Sequence, residues 1–385
     1  MVGPVVLQED EALAADTGTF RRFWERSAMT VMYLCIEAVG CPTVCRHCWA
    51  QGWPYRAMPV RDIAWVLEQA HQFCDDRGLA FDAYPMHELA AHPDAARLFG
   101  LFNDHSSSAQ DGSLFEPLPT TGVPLASRED WPKVLKAAAD TGTGTVWVAF
   151  HGVGAEHDRQ VNRRGAFAET CLAVDRIHEM GLRVGGNVFV TTANLAQLDE
   201  LTATLAGLPI DAGMCWETAQ FLPTPRSRRN ERLRPCLPEV LPVAGQILEL
   251  TAPIHREVWA NLEAHTEAAY LRRAVADEWP AAPKRPEGEL ALVCRPNLDV
   301  YTGLAGRYRT RHGNLRADGV EAVLDQALAH GVRADAALWF TLDPLPAPAE
   351  AAARHGDPAG LGIHLSSQSV YYLWLDRAAR AGPDG

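Results

Sequence analysis

Three cysteines stand in the run C-P-T-V-C-R-H-C, where Cys41, Cys45 and Cys48 give the spacing C-x3-C-x2-C directly after an apolar segment, residues 29–37 (MTVMYLCIE). Three thiolates on one tight loop can hold three irons of a [4Fe–4S] cube and leave the fourth iron without a side-chain ligand. The same residues admit two plainer readings. One is a zinc site with His47 or Cys35 as fourth ligand, although neither gives the paired-knuckle spacing usual for structural zinc. The other is a set of unrelated buried thiols. Of the chain's nine cysteines the remaining five, Cys74, Cys171, Cys215, Cys236 and Cys294, are scattered. An odd, uneven set in a large chain reads as metal-binding and not as a disulfide framework.

The elements that must carry this loop alternate between strand-like and helix-like segments, the mark of an α/β fold. Strands are expected at 29–37, 79–84, 114–119, 145–150, 183–191 and 213–221. Helices are expected at 60–77, 92–103, 127–139 with Ser127 as cap, 166–180 and 195–206. Six β/α units predict a partial (β/α)6 TIM-like barrel over residues 28–235, after an N-terminal extension at 1–27. Residues 236–289 read as a helical connector ending in the proline-rich linker 277–289. Residues 290–385 form a small C-terminal α+β extension, with a hairpin and helix over 290–335, an irregular stretch at 342–361 and a last helix near 367–381.

The cysteine spacing resembles that of the radical S-adenosylmethionine (SAM) superfamily, and further segments resemble that family in the same order. Residues 86–94 (MHELAAHPD) look like its G-G-E-P-L-L-H-P-D segment, with both glycines replaced, by Met86 and His87. Residues 120–122 (TTG) resemble its T-N-G, 148–158 (VAFHGVGAEHD) its V-S-L-D-G…HD, and 163–169 (RRGAFAE) its R-G-x-G-S-F turn. The resemblance implies that Cys41, Cys45 and Cys48 hold the cluster and that the open iron chelates SAM. It implies that Glu88 accepts hydrogen bonds from the SAM amino group, and that His47, Thr121, His151 and Asn187 lie along the cofactor. Two departures stand out: the family's ribose-contacting serine is Ala149 here, and its aspartate is His151. The tail 291–328 looks like a SPASM or Twitch extension that keeps only Cys294, hence a degenerate one without an auxiliary cluster. No vitamin B12 domain is apparent. A family member would cleave SAM reductively to a 5′-deoxyadenosyl radical, take a hydrogen atom from its substrate, and receive electrons from a flavodoxin- or ferredoxin-type reductase.

For the substrate a small molecule is expected, in a tailoring step of natural-product biosynthesis: an epimerisation, dehydrogenation or rearrangement. A ribosomal peptide is the alternative, and a non-catalytic zinc protein a second one. Cys215 and Cys294 are candidate hydrogen-atom donors in an epimerase, or simply small buried side chains. The run Arg226, Arg228, Arg229, Arg232 and Arg234 suits a phosphate or carboxylate, or a solvated loop. Trp147 and Trp216 are expected in the core. The formal net charge of -13 argues against a nucleic-acid partner, which calls for a basic face. With no signal-peptide pattern and no long uncharged apolar run, no membrane partner and a cytoplasmic location are expected.

Overall fold

The computed structural model of the protein describes residues 31–48, 57–107, 114–218, 232–252, 256–275, 290–302 and 310–338, together with Gly362. The stretches 1–27, 277–289, 342–361 and 367–381 and residues Arg226, Arg228 and Arg229 lie outside them.

The fold is α/β, with strands and helices alternating from the first described residues. The strands are β1 (Val31–Ile36), β2 (Ala80–Pro85), β3 (Leu118–Thr120), β4 (Thr145–Phe150), β5 (Arg183–Val190) and β6 (Met214–Thr218). Between them come α1 (Val60–Asp75), α2 (Ala95–His105), α3 (Val123–Ser127), α4 (Trp131–Asp140), α5 (Ala155–Val161), α6 (Ala166–Glu179) and α7 (Leu198–Ala206). All pairings among β1–β6 are parallel, as strand–helix–strand crossovers require. They fall into two ladders, β1 with β2 and β3-β4-β5-β6, and the described strands do not close into a barrel.

Two local readings change. Ser127 does not cap a long helix: Pro124 opens the short α3, in which the Ser127 hydroxyl donates to the Pro124 carbonyl, and Pro132 in the first turn of α4 starts a separate helix. Each proline lacks an N–H at a position where no helical partner exists for one, so it starts a helix readily. The third strand is only Leu118–Thr120.

The two faces of β4–β6 differ. Val146, Val148 and Phe150, Val184, Val188 and Val190, and Met214 and Trp216 are buried and share the main core with the helix residues Ala173, Val174, Ile177, Leu201 and Leu205. The alternate residues Trp147, Ala149, Asn187, Phe189 and Glu217 are only half-buried. Successive strand residues point to opposite faces, so this second set lines the inner face, away from the helices. Trp216 is core as expected, and its carbonyl accepts from Trp259 Nε1 at 2.9 Å. Trp147 is instead on the inner face, paired with Gly185 of β5. A Cβ on Gly185 would lie 2.7 Å from Trp147 Cδ2. Gly185→Ala is therefore expected to destabilise the protein by about 1–3 kcal/mol through overpacking, read as a lowered denaturation midpoint.

Beyond β6 the chain forms short helices, including α8 (Leu237–Val240), α9 (Ala244–Leu250), α10 (Arg256–Ala260) and α11 (Glu267–Val275). It then returns to the first sheet. β7 (Leu290–Cys294) pairs in parallel with β1, and β8 (Asp299–Thr302) and β9 (Thr310–Asn314) continue antiparallel outward, giving the order β2-β1-β7-β8-β9. Helix α12 (Val320–Leu338) follows. The expected hairpin and helix are thus a direct continuation of the β1 ladder. No helix among the described residues is long and apolar enough to cross a membrane.

Candidate active site

The cysteine loop leaves the C-terminal end of β1, the end at which parallel α/β folds gather their functional loops. It is clamped by its backbone to the end of α5: the Val44 N–H donates to the Val161 carbonyl at 3.0 Å and the Arg46 N–H to the Gln160 carbonyl at 2.8 Å. Cys45 packs with Val123, Val161 and Ala166, and Cys48 lies against the same group. Between the thiols sits the buried Thr43, whose hydroxyl is hydrogen-bonded to Cys41 Sγ at 3.1 Å and accepts from Cys45 Sγ at 3.4 Å. Burial pushes the Cys41 thiol up to about 11, with a further contribution from the Glu88 carboxylate. Burial also raises Cys45, as does its nearness to Cys41 and Cys48. The electrostatics thus gather the three thiols and Glu88 in one neighbourhood. Among the described residues no group of three His, Cys, Asp or Glu side chains converges on a single metal-ion position.

Glu88 follows β2 and is 4% exposed. Its carboxylate bridges the two ladders, accepting from Thr120 Oγ1 at 3.0 Å and from the Thr121 N–H at 2.6 Å. Burial raises its pKa, and these hydrogen bonds offset part of the rise. An ionised carboxylate offers about four acceptor positions, so two bonds leave capacity for a further donor. His87, just before it, holds φ at 66°. A non-glycine residue in this left-handed region costs of order 1–3 kcal/mol, and His87 keeps the backbone shape that glycine adopts freely. Gly122 also has positive φ (78°), and a Cβ there would come within 3.1 Å of both Ala173 Cβ and the Thr170 backbone. That glycine lets the T-T-G turn approach α6.

At the ends of β4 and β5, the His47 ring packs at a tilt against His151 (centroids 4.5 Å apart) and Phe189 (4.4 Å), and His151 stacks on Phe189 at 4.8 Å. Burial holds His47 down at about 4, and it holds His151 well below the ordinary imidazole value with help from His47 and His157. The rings are therefore neutral and flat-sided near pH 7. Behind them His157 Nδ1 accepts from the His151 N–H at 3.2 Å, which assigns its proton to Nε2, facing Thr170 Oγ1 at 3.5 Å. Thr170 Oγ1 in turn donates to the Thr121 carbonyl at 3.1 Å. Asn194, fully buried, donates to the carbonyls of His151 (3.1 Å) and Phe189 (2.6 Å) and ties the two strand ends together. The Asp158 carboxylate accepts from the N–H groups of Gly165 (2.5 Å) and Phe167 (2.9 Å), fixing the start of α6.

Solved structures similar to the chain include SuiB from Streptococcus suis bound to S-adenosylmethionine, at 13% identity over 83% of this chain and 72% of that one, TM-score 0.46. Another is anSMEcpe with bound AdoMet and the Cp18Cys peptide, at 12% identity over 92% and 99%, TM-score 0.43. A third is coproporphyrinogen III oxidase (HemN) from Escherichia coli, described as a radical SAM enzyme, at 12% identity over 94% and 92%, TM-score 0.43. No protein-family model matches the chain, and no curated protein matches it in sequence.

The structure thus gathers Cys41, Cys45, Cys48, Glu88 and Thr121 at the ends of the first three strands, and His47 with His151 at the ends of the next two. Cys215 and Asn187 are on the inner face of β6 and β5, opposite one another in register. Cys294 is not with them. The register pairs it with Ile36, and both lie in the main core, whereas Cys35 and Val293 share the other face. Its side chain is fully buried, and its thiol donates to the Arg295 carbonyl at 3.7 Å. Of the arginine run, Arg234 is buried and the Arg232 carbonyl accepts from Thr192 Oγ1.

Sequence reasoning passed over Thr43, His157, Phe189, Asn194 and Glu217. Glu217 could have been found: in M-C-W-E-T the polar and apolar residues alternate, which puts Cys215 and Glu217 on one face. Cys215 Sγ donates to Glu217 Oε1 at 3.7 Å, and burial pushes Glu217 up to about 7.

Proposed function

We propose that this chain is a radical SAM enzyme in which Cys41, Cys45 and Cys48 hold a [4Fe–4S] cluster and Glu88 receives the SAM amino group. The observation that carries this reading is the C-x3-C-x2-C loop at the C-terminal end of β1, held beside a buried carboxylate with spare acceptor capacity. The donor set suits the group: soft thiols for iron, and a shielded carboxylate for an ammonium. When bound, cluster and SAM together supply a one-electron cleavage that yields a 5′-deoxyadenosyl radical able to take a hydrogen atom from a substrate.

The chain's own part is positional. Thr43 holds a hydroxyl against two of the sulfurs, the α5 terminus fixes the loop, and Thr120 and Thr121 orient Glu88. His47, His151 and Phe189 offer flat, uncharged surfaces suited to an adenine ring. In this reading residues 28–235 are the catalytic barrel, 236–289 a connector and 290–385 an extension without its own cluster. The substrate is a small molecule received on the inner face near Cys215, in a tailoring step on a natural-product scaffold, with electrons from a flavodoxin- or ferredoxin-type donor.

The test is anaerobic reconstitution. About four irons and four sulfides per chain are expected, together with dithionite-dependent release of 5′-deoxyadenosine from SAM. A protein that binds zinc stoichiometrically, takes up no iron–sulfur cluster and leaves SAM intact would end this reading.

A further inference from the structure

The inner face of β4–β6 carries a polar group used by neither the thiol loop nor Glu88. The register sets Asn187 between Ala149 of β4 and Cys215 of β6, and Phe189 opposite Glu217. Residues paired across neighbouring strands, and those two apart along one strand, share a face. Ala149, Asn187, Cys215 and Glu217 therefore form one patch, with Trp147 toward the bottom and Phe189 at the rim. Ala149 is the smallest of these side chains.

The patch has more acceptors than donors. Glu217 is bonded by the Cys215 thiol, a weak donor, and by the Asn187 amide. Asn187 Oδ1 is buried with no hydrogen-bond partner among the described residues. Unsatisfied buried polar atoms are rare in folded proteins and call for an explanation, a missing ligand among them. Among the described residues the partners of Glu217 are Cys215 and Asn187, neither of them a cation, and burial pushes its carboxyl up to about 7.

We propose that this patch is a substrate subsite for a protonated amine, the ammonium being received between the Glu217 carboxylate and Asn187 Oδ1. An ammonium brings three donors and the charge that a shielded carboxylate lacks, whereas a neutral hydroxyl brings one donor and no charge. The subsite rests on the reading of the inner face as the substrate chamber.

The test is equilibrium binding to the reconstituted protein, without SAM or reductant, using matched probes: glucosamine against glucose, 2-deoxystreptamine against scyllo-inositol, and pentylamine against pentanol. At least one amine is expected to bind roughly tenfold or more tightly than its uncharged partner, a margin within reach of one charge-assisted hydrogen bond. Glu217→Gln, which keeps the side-chain shape, is expected to erase that preference while SAM affinity, iron content and dithionite-driven SAM cleavage hold. A second measurement needs only the native protein: amine binding should remove the infrared band of a protonated carboxyl. Three results would each overturn the subsite: no amine preferred over its partner, the same preference in Glu217→Gln, or a parallel loss of SAM affinity in that variant, which would give the patch to SAM. Iron content and SAM cleavage report separately on the radical SAM reading.

Discussion

Replacing Cys41, Cys45 and Cys48 together by alanine is expected to give a folded, colourless protein that takes up no cluster and releases no 5′-deoxyadenosine. Folding should survive because the bonds that clamp the loop are made by backbone, from Val44 to Val161 and from Arg46 to Gln160. The largest packing loss is at Cys45, where removing one sulfur beside Val123, Val161 and Ala166 costs about 1 kcal/mol. The chemical loss is total by comparison, since no other described thiol is placed to substitute: Cys35 lies in a separate apolar cluster with Met86 and Val293. Iron and sulfide analysis, the visible spectrum and thermal unfolding measured side by side separate the two effects. A triple variant that keeps its colour and still cleaves SAM would remove the assignment of the loop.

Glu88→Gln should leave the cluster intact and weaken SAM binding about 10- to 100-fold, the range for losing one charge-assisted hydrogen bond in a shielded site. Glutamine keeps one oxygen, able to accept from Thr120 or from the Thr121 N–H but poorly from both, and its NH2 group then faces donors. A modest fall in thermal stability accompanies the change for the same reason. Titrating SAM into the reconstituted variant checks it. Unchanged affinity would free Glu88 from the cofactor and leave it as a strut between the two ladders.

Several elements were readable in the residues because local chemistry decides them. The run T-V-W-V-A-F is β-branched and aromatic and forms β4 over the expected residues, and the spacing of Val60, Ile63, Val66, Leu67, Ala70 and Phe73 buries one side of α1. The cysteines and Glu88 could be singled out because three thiols and an acid stand in short segments directly after strands. What escaped depends on pairing between distant segments. Nothing local tells Leu290–Cys294 to join β1, and that pairing decides which way Cys294 faces. Trp147 was misplaced because both faces of V-W-V-A-F carry apolar residues, so the run hides which face is fully buried. The third strand was misjudged because Pro117 and Pro119 interrupt it, leaving a ladder three residues long.

The pairing of β7 with β1 also bears on how the molecule is made. During translation the first strand emerges long before its neighbour at residue 290, so one of its edges waits unpaired while most of the polypeptide is still being synthesised. Such an edge invites association with other nascent chains, and the large sequence separation slows closure of that ladder. The cysteine loop issues from this strand, so its final setting should be reached late, and cells that express the protein slowly or supply holding chaperones should give the better yield of correctly folded protein.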